Sequence, residues 1–222
     1  NLADDQLQLV VDQANAFAFK VDDIEERQSH VNWEALATSS GAYALKDSYD
    51  ENVIAAMVSG AGTTTGSDGS GSDTGFGSSE VDPMDILANS AKIHHGNDVP
   101  TDNRWFLASP EFYEQLGNAS SKLMDASVTG DASSPLRNGQ VINGMVNGFK
   151  LYMTNNFAAS STSNYYKVLS GHMSSTATAN AIAKTEVVRD QESFADIVRG
   201  LHVFGRKVLR SDALQCRHLL ID

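Results

Sequence analysis

"LQLVVDQANAFAFKV" (residues 7–21) alternates along its length. Leu7, Leu9 and Val11 take odd positions, with Val10 the exception. Phe17, Phe19 and Val21 keep the odd phase, while Gln13 and Asn15 interrupt it. A period of two marks a strand with one face toward a core. Unbroken, the stretch would reach ~50 Å at about 3.3 Å per residue. Strands in globular domains usually stop at roughly ten residues, so an unbroken one would be an arm covered by another element. The alternative is two ordinary strands with a turn at Asp12–Asn15. Both readings stay open at this level.

Downstream, "VDDIEERQSHVNWEALATSSGAYALKDSYDENVIAAMVSG" (21–60) changes period. Ala42, Leu45, Tyr49, Val53 and Met57 recur at three- and four-residue steps, one face of a helix. Trp33, Leu36 and Ala37 extend that face upstream. The spacing predicts a helix over about 32–58, roughly 40 Å long at 1.5 Å per residue. Asp22 and Asp23 suit a helix start, and Gly60 suits its end. Residues 59–79, "SGAGTTTGSDGSGSDTGFGSS", hold one aromatic among Gly, Ser, Thr and Asp. Such a composition buries too little apolar surface to offset chain entropy and is expected to be a flexible loop. Its glycines are not followed by Lys-Ser/Thr, so it is no phosphate loop.

Asp82-Pro83 opens a second helix with an acidic cap and proline in the first turn, and Gly96 closes it. Arg104 to Ala108 reads as a short buried strand. Strands are also expected through Phe149, Leu151 and Met153, and over 165–172. The Ala-rich run 177–183 is ambiguous. The tail reads as a β-ribbon and a last strand.

The totals bound the function. The formal charge is 16 − 28 = −12. Residues 1–100 carry 4 Lys/Arg and 17 Asp/Glu, and residues 101–222 carry 12 and 11. So acidic a chain is a poor general binder of phosphate backbones. Its acidic half and near-neutral half can attract each other between copies. The one cysteine, Cys216, excludes an internal disulfide, and no run approaches the roughly 18 apolar residues of a membrane span. The chain opens at Asn1 without an initiator methionine, which predicts further native sequence upstream.

Ser109 poses the question of catalysis. A hydrolase elbow needs small residues around its serine, whereas the frame here is Leu-Ala-Ser-Pro-Glu. Proline removes the following N–H that would help an oxyanion hole. Ser109, Pro110 and Glu111 together read instead as a helix start. His94 and His95 are adjacent and point roughly 100° apart on a helix, a poor metal pair. His172 and His202 lack partners at ligand spacing, and Cys216 has only His218 nearby. Asp22, Asp23, Glu25 and Glu26 are read first as helix-dipole complements. Arg199, Arg206, Lys207 and Arg210 form a modest basic ribbon interleaved with Asp196 and Asp212. No constellation for catalysis, cofactor or metal emerges, and the unusual features are features of shape.

In order along the chain, five segments resemble the major capsid proteins of tailed bacteriophages with the Hong Kong 97-type fold. "FAFKVDDIEERQS" (17–29) is similar to the return strand of the family's extended loop entering the spine helix. "GAYALKDSYDENVIAAM" (41–57) resembles the body of that helix. "VPTDNRWFLASPEFYEQL" (99–116) and "GFKLYMTNNF" (148–157) resemble parts of the axial domain. "TEVVRDQESFADIVRGLHVFGRKVLRSDAL" (185–214) resembles the peripheral ribbon.

The resemblance implies an α+β fold with a long spine helix, a peripheral β-ribbon, an axial mixed α/β domain and an extended loop. It divides the chain into a return strand (1–22), spine helix (23–58), Gly/Ser-rich loop (59–80), axial domain (81–184), ribbon (185–211) and final strand (212–222). It implies a non-enzymatic shell subunit, built into pentamers and hexamers, enclosing double-stranded DNA without reading its sequence. Scaffolding, decoration and portal proteins are implied as further partners, with assembly in the bacterial cytoplasm and no membrane. Phe17, Phe19, Lys20, Asp22, Asp23, Glu25, Glu26, Arg199, Arg206, Lys207 and Arg210 are then candidates for contact between subunits. An encapsulin-like compartment around cargo enzymes is the alternative within the fold, and a serine hydrolase using Ser109 the alternative outside it.

Overall fold

A computed structural model describes residues 7–22, 33–118, 120–121 and 145–221. In chain order its elements are strand β1 (Gln13–Asp22), helix α1 (Trp33–Gly60), strands β2 (Thr63–Thr65) and β3 (Ser72–Thr74), helix α2 (Pro83–Gly96), strand β4 (Arg104–Ala108), helix α3 (Pro110–Leu116), and strands β5 (Met145–Val146), β6 (Phe149–Met153), β7 (Tyr165–His172), β8 (Thr176–Arg189), β9 (Ala195–Val208) and β10 (Leu214–Ile221). They divide into two units. One comprises the described residues up to Val53 with Ala177–Lys207, the other Ile54–Thr176 with the described residues from Val208. The chain therefore crosses between units after Val53, Thr176 and Lys207.

The first unit is a three-stranded sheet, ordered β1-β9-β8, against the first part of α1. β1 pairs antiparallel with β9, from Gln13 opposite Phe204 to Asp22 opposite Ala195. The odd phase seen in the sequence is the face toward α1. Asn15 Nδ2 donates to Ser48 Oγ at 2.9 Å. Arg206 Nε donates to the Asn52 carbonyl at 2.9 Å. Tyr49 lies edge-on to Phe204 with ring centroids 4.8 Å apart.

Phe17 is wedged between Gly41 of α1 and Gly200 of β9. A methyl group added at Gly41 would overlap the Cε2–Cζ edge of its ring, and one added at Gly200 the Cε1 edge. The ring cannot retreat from one without meeting the other.

The structure departs from the sequence pattern at several points. Neither alternative for 7–21 holds: there is one strand, from Gln13, and no turn at Asp12–Asn15. Residues 7–12 are not strand, because the ladder with β9 begins only at Phe204. Asp22, expected at a helix start, lies in strand instead. Pairing with β9 runs through Asp22, and α1 begins at Trp33. Asp23, Glu25 and Glu26 lie outside the described residues. Leu36, expected on the buried face, is 51% exposed. The ambiguous run 177–183 belongs to β8, where backbone pairing with β9 decides what alanine-rich composition leaves open.

The second unit holds a seven-stranded sheet, with path β2-β10-β7-β4-β6-β5 and β3 also paired to β10. On one face α2 and α3 pack Ile86, Leu87, Phe112 and Leu116 onto Phe106, Phe149, Leu151 and Leu219. A second cluster joins Ile54, Met57 and Val58 to Leu169, Cys216, Trp105 and Leu107. β4 thus serves both clusters by alternation.

The Gly/Ser-rich stretch is not a flexible loop. Its β2 and β3 lie parallel to β10, Thr63 opposite Gln215 and Thr74 opposite Ile221. The composition argument weighed apolar burial, but here order comes from backbone groups filling the free edge of β10. Gly66 and Gly69 turn the chain between them at φ of 79° and 76°, where a side chain would be strained. Asp68 accepts from the Ser160 hydroxyl, from Ser161 N at 3.1 Å and from Ser161 Oγ at 2.7 Å. These bonds hold its carboxyl down to about 2.

His94 of α2 is fully buried. Its Nε2 lies 3.0 Å from Ser170 Oγ, and Ser170 Oγ donates to Gln215 Oε1 at 3.3 Å. With the serine proton committed to Gln215, Nε2 carries the imidazole hydrogen. Nδ1 has no partner among the described residues, so protonating it would bury an unmatched N–H. Burial first, then the Arg104 guanidinium, lowers the imidazole to about 4.

Two outcomes follow. Gly41→Ala removes a helical glycine, a gain of about 1 kcal/mol, but drives a methyl into Phe17, a cost of about 1–3 kcal/mol. It is expected to destabilise the wild type and to stabilise a Phe17→Ala background. A thermal-melt double-mutant cycle reads this change of sign. For His94, a folded value below the free value of 6.5 means stability present above pH 6.5 and lost as pH falls to 4, worth about 3 kcal/mol. Melting temperatures from pH 7 to 4 should fall accordingly, and the fall should shrink in His94→Gln.

Candidate functional site

Ser109 follows β4 and stands at the N-cap position of α3, with Pro110 next in the first turn. The expected start of a helix is there, but the capping bond is not. The backbone at Ser109 is extended, and its side chain makes no bond to the helix amides. The hydroxyl is buried and, like Glu111 Oε2, has no partner among the described residues. A serine nucleophile needs a base within hydrogen-bond reach. The adjoining cavity, about 270 Å³, is lined by Ser109, Glu111, Asn155, Tyr165 and Lys167 among others, with no histidine. Proline's fixed φ and missing N–H make the helix start by themselves.

The other reactive side chains are also dispersed. His94 belongs to the buried network with Ser170 and Gln215. His95 lies 3.4 Å from the guanidinium of Arg104. Arg104 is itself buried and donates to the carbonyls of Pro100 at 2.6 Å and Val99 at 2.5 Å. That grip folds the loop 97–103 back on its own strand. Burial pushes the Cys216 thiol up to about 11, leaving it un-ionised at neutral pH. Among the described residues no cluster of His, Cys, Asp and Glu has the makings of a metal site, and no helix is long and apolar enough to cross a membrane.

Of the candidate contact residues, Phe17 is occupied inside its own unit. Phe19 is 42% exposed, its ring 5.5 Å from that of Phe17. Lys20 Nζ pairs with Asp190 Oδ2 at 2.6 Å. Arg199 pairs with Glu186, which also takes Lys184 at 2.9 Å. Arg206 reaches Asn52 and, at 3.8 Å, Asp12. Lys207 Nζ donates to the Gln8 carbonyl at 2.7 Å. Arg210 belongs to the other unit, exposed at the start of a 3-10 turn. The basic ribbon read from the sequence is therefore largely engaged within the first unit.

Sequence reasoning missed Phe194. It is 81% exposed at the turn between β8 and β9. An aromatic in the otherwise polar turn "DQESF" was the available signal. It also missed Asp190, which organises that turn. Its carboxylate accepts from Glu192 N at 3.2 Å and Ser193 Oγ at 2.7 Å. The hydrogen bond from Lys20 above all, with those from Ser193 and the Glu192 amide, holds the Asp190 carboxyl far below the usual range.

No curated protein matches the chain, but solved structures do. A structure from Mycobacterium phage Che8 is 28% identical, with a TM-score of 0.79 over 97% of this chain and 76% of that one. The capsid of cyanophage P-SCSP1u is 17% identical, with a TM-score of 0.72 over 96% and 73%. The holo-SrpI encapsulin complex of Synechococcus elongatus PCC 7942 is 12% identical, with a TM-score of 0.62 over 93% and 72%. The last two likenesses carry the fold alone, a mixed helix-and-sheet fold of the Hong Kong 97 type. A family model described as phage capsid protein matches residues 6–216, and the chain belongs to that family.

Proposed function

We propose that copies of this major capsid protein close into an icosahedral head around a double-stranded DNA phage genome, as pentamers and hexamers. The carrying observation is the family match, which spans almost every described residue of both units. In this reading the second unit is the axial domain and the first is the peripheral domain with the base of the extended loop. The protein is structural and belongs to the virion. It performs no catalysis, and shells form in the host cytoplasm with scaffolding, decoration and portal proteins as partners.

The charge supports enclosure rather than binding. A subunit at −12 does not hold DNA by counterion release. A closed lattice also suits weak contacts, since each is repeated many times and the ensemble holds where a single pair would not. Among the candidate contact residues, Phe19 and Arg210 are exposed to neighbours. The described acid of the segment 22–26, Asp22, ends β1 at the edge of its sheet, which in this reading adjoins the extended loop.

Sedimentation and negative-stain imaging of the expressed protein are expected to give closed shells. A monomer or dimer that no scaffold converts to shells would overturn the reading. Nucleic acid inside native particles supports the phage head, and a packaged enzyme would support the encapsulin alternative. A serine-directed probe is expected to label wild type and Ser109→Ala equally weakly. Labelling lost in the variant would return the hydrolase to consideration. Because the hydroxyl has no partner, Ser109→Ala is expected to change stability by less than about 1 kcal/mol.

A further inference from the structure

Within the first unit one sheet face meets α1 and the other meets nothing among the described residues. Asn15 and Phe17 touch α1, so Ala16 and Ala18, which alternate with them, face away. Both are exposed, opposite Leu201 and Arg199 of β9. A groove of about 550 Å³ lies on this face. Ala16, Ala18 and Leu201 contribute apolar surface, and Lys184, Glu186 and Arg199 contribute charge. Two cations there share one carboxylate, Glu186, so the groove carries an excess positive charge.

The same unit holds a feature of complementary chemistry. The turn after β8 presents Phe194, 81% exposed. Beside it stands Glu192, exposed and without an ion pair among the described residues. Lys20, Ser193 and the Glu192 amide all converge on Asp190, so the tip is held in shape before it meets a partner. Preorganisation of this kind lowers the entropy cost of association. A rigid aromatic in a shallow apolar site, with charge at the rim, is the usual form of an interface anchor.

We propose that the groove receives the β8–β9 tip of a second copy of this chain, Phe194 seated over Ala16, Ala18 and Leu201, and Glu192 facing Lys184 and Arg199. The proposal rests on the self-assembly reading above and names a contact that serves it. Groove and tip are different patches, so a one-way contact between them runs head-to-tail and joins copies into rings or lattices, whereas a reciprocal exchange of tips would close a pair.

The test is the full chain carrying Ala18→Cys with Phe194→Cys, assembled under mild oxidation. A disulfide forms only where the two Cα atoms come within about 7 Å, and the native Cys216 is buried. The expected result is a ladder of disulfide-linked multimers on a non-reducing gel, absent from either single variant. Particles without a ladder would overturn the groove and leave the assembly reading standing. So would dimers from Phe194→Cys alone, which would mean tip meeting tip. Phe194→Ser covers the case in which the double variant does not fold. Exposed as Phe194 is, its loss should leave the melting temperature unchanged while raising the critical concentration for assembly roughly tenfold, about 1.4 kcal/mol. An unchanged critical concentration refutes the groove. A wild-type chain that forms neither particles nor rings rejects the assembly reading and the groove with it.

Discussion

The first unit depends on one long-range pairing. β1 lies against β9 with Gln13 opposite Phe204 and Asp22 opposite Ala195, partners at nearly opposite ends of the chain. Closing so long a loop has an entropy cost that local contacts do not meet. The pairing persists because it presents a continuous face to α1. Phe17 fills the gap between Gly41 and Gly200, Asn15 bonds Ser48, and Tyr49 packs on Phe204. The two glycines matter through the side chains they lack. They let helix and sheet approach until an aromatic ring fits between them, and that approach sets where α1 and the β8–β9 ribbon stand within the unit.

Charge works on a different scale. The described cations of the ribbon are engaged locally: Lys20 with Asp190, Arg199 and Lys184 with Glu186, Arg206 with Asp12. Exposed pairs of this kind contribute little to folding, but they consume the positive charge that a nucleic-acid surface would need. What remains is an acidic subunit whose copies repel one another at long range and attract only through particular patches. Salt screens both effects within about 10 Å at 0.1 M, so contacts between such subunits depend on apolar anchors as well as on ion pairs. A shell built from them gains its strength from repetition.

The second unit shows why some elements were legible and others not. The helix from Pro83 was readable because Asp82 and Pro83 act locally, and Asp82 does accept from Met84 N at 2.7 Å. β4 was readable from its run of apolar residues. The strands β2 and β3 were not, since "TTT" and "SDT" announce no core. They exist because β10 has an open edge, which no local pattern reveals. Ser109 illustrates a finer limit. Sequence placed it at the start of a helix, but its hydroxyl makes no capping bond there, a side-chain detail that residue type and spacing do not fix. On the candidate surface, the basic residues were legible as a set, while their internal partners and the exposed Phe194 were not.

The sequence by itself determined the mixed α+β class, the long helix, the odd-phase strand and the absence of a recognisable catalytic motif. These follow from periodicity, caps and composition, which act over a few residues. The order of five family-like segments added the capsid assignment, because order along a chain is itself a one-dimensional property. Only the tertiary structure decided that β1 begins at Gln13, that the Gly/Ser-rich stretch closes a sheet edge, that His94 is held neutral beside Ser170, and that a groove faces away from α1. Each of these depends on which distant backbone or side chain arrives alongside, and that is fixed by packing in three dimensions rather than by neighbours in sequence.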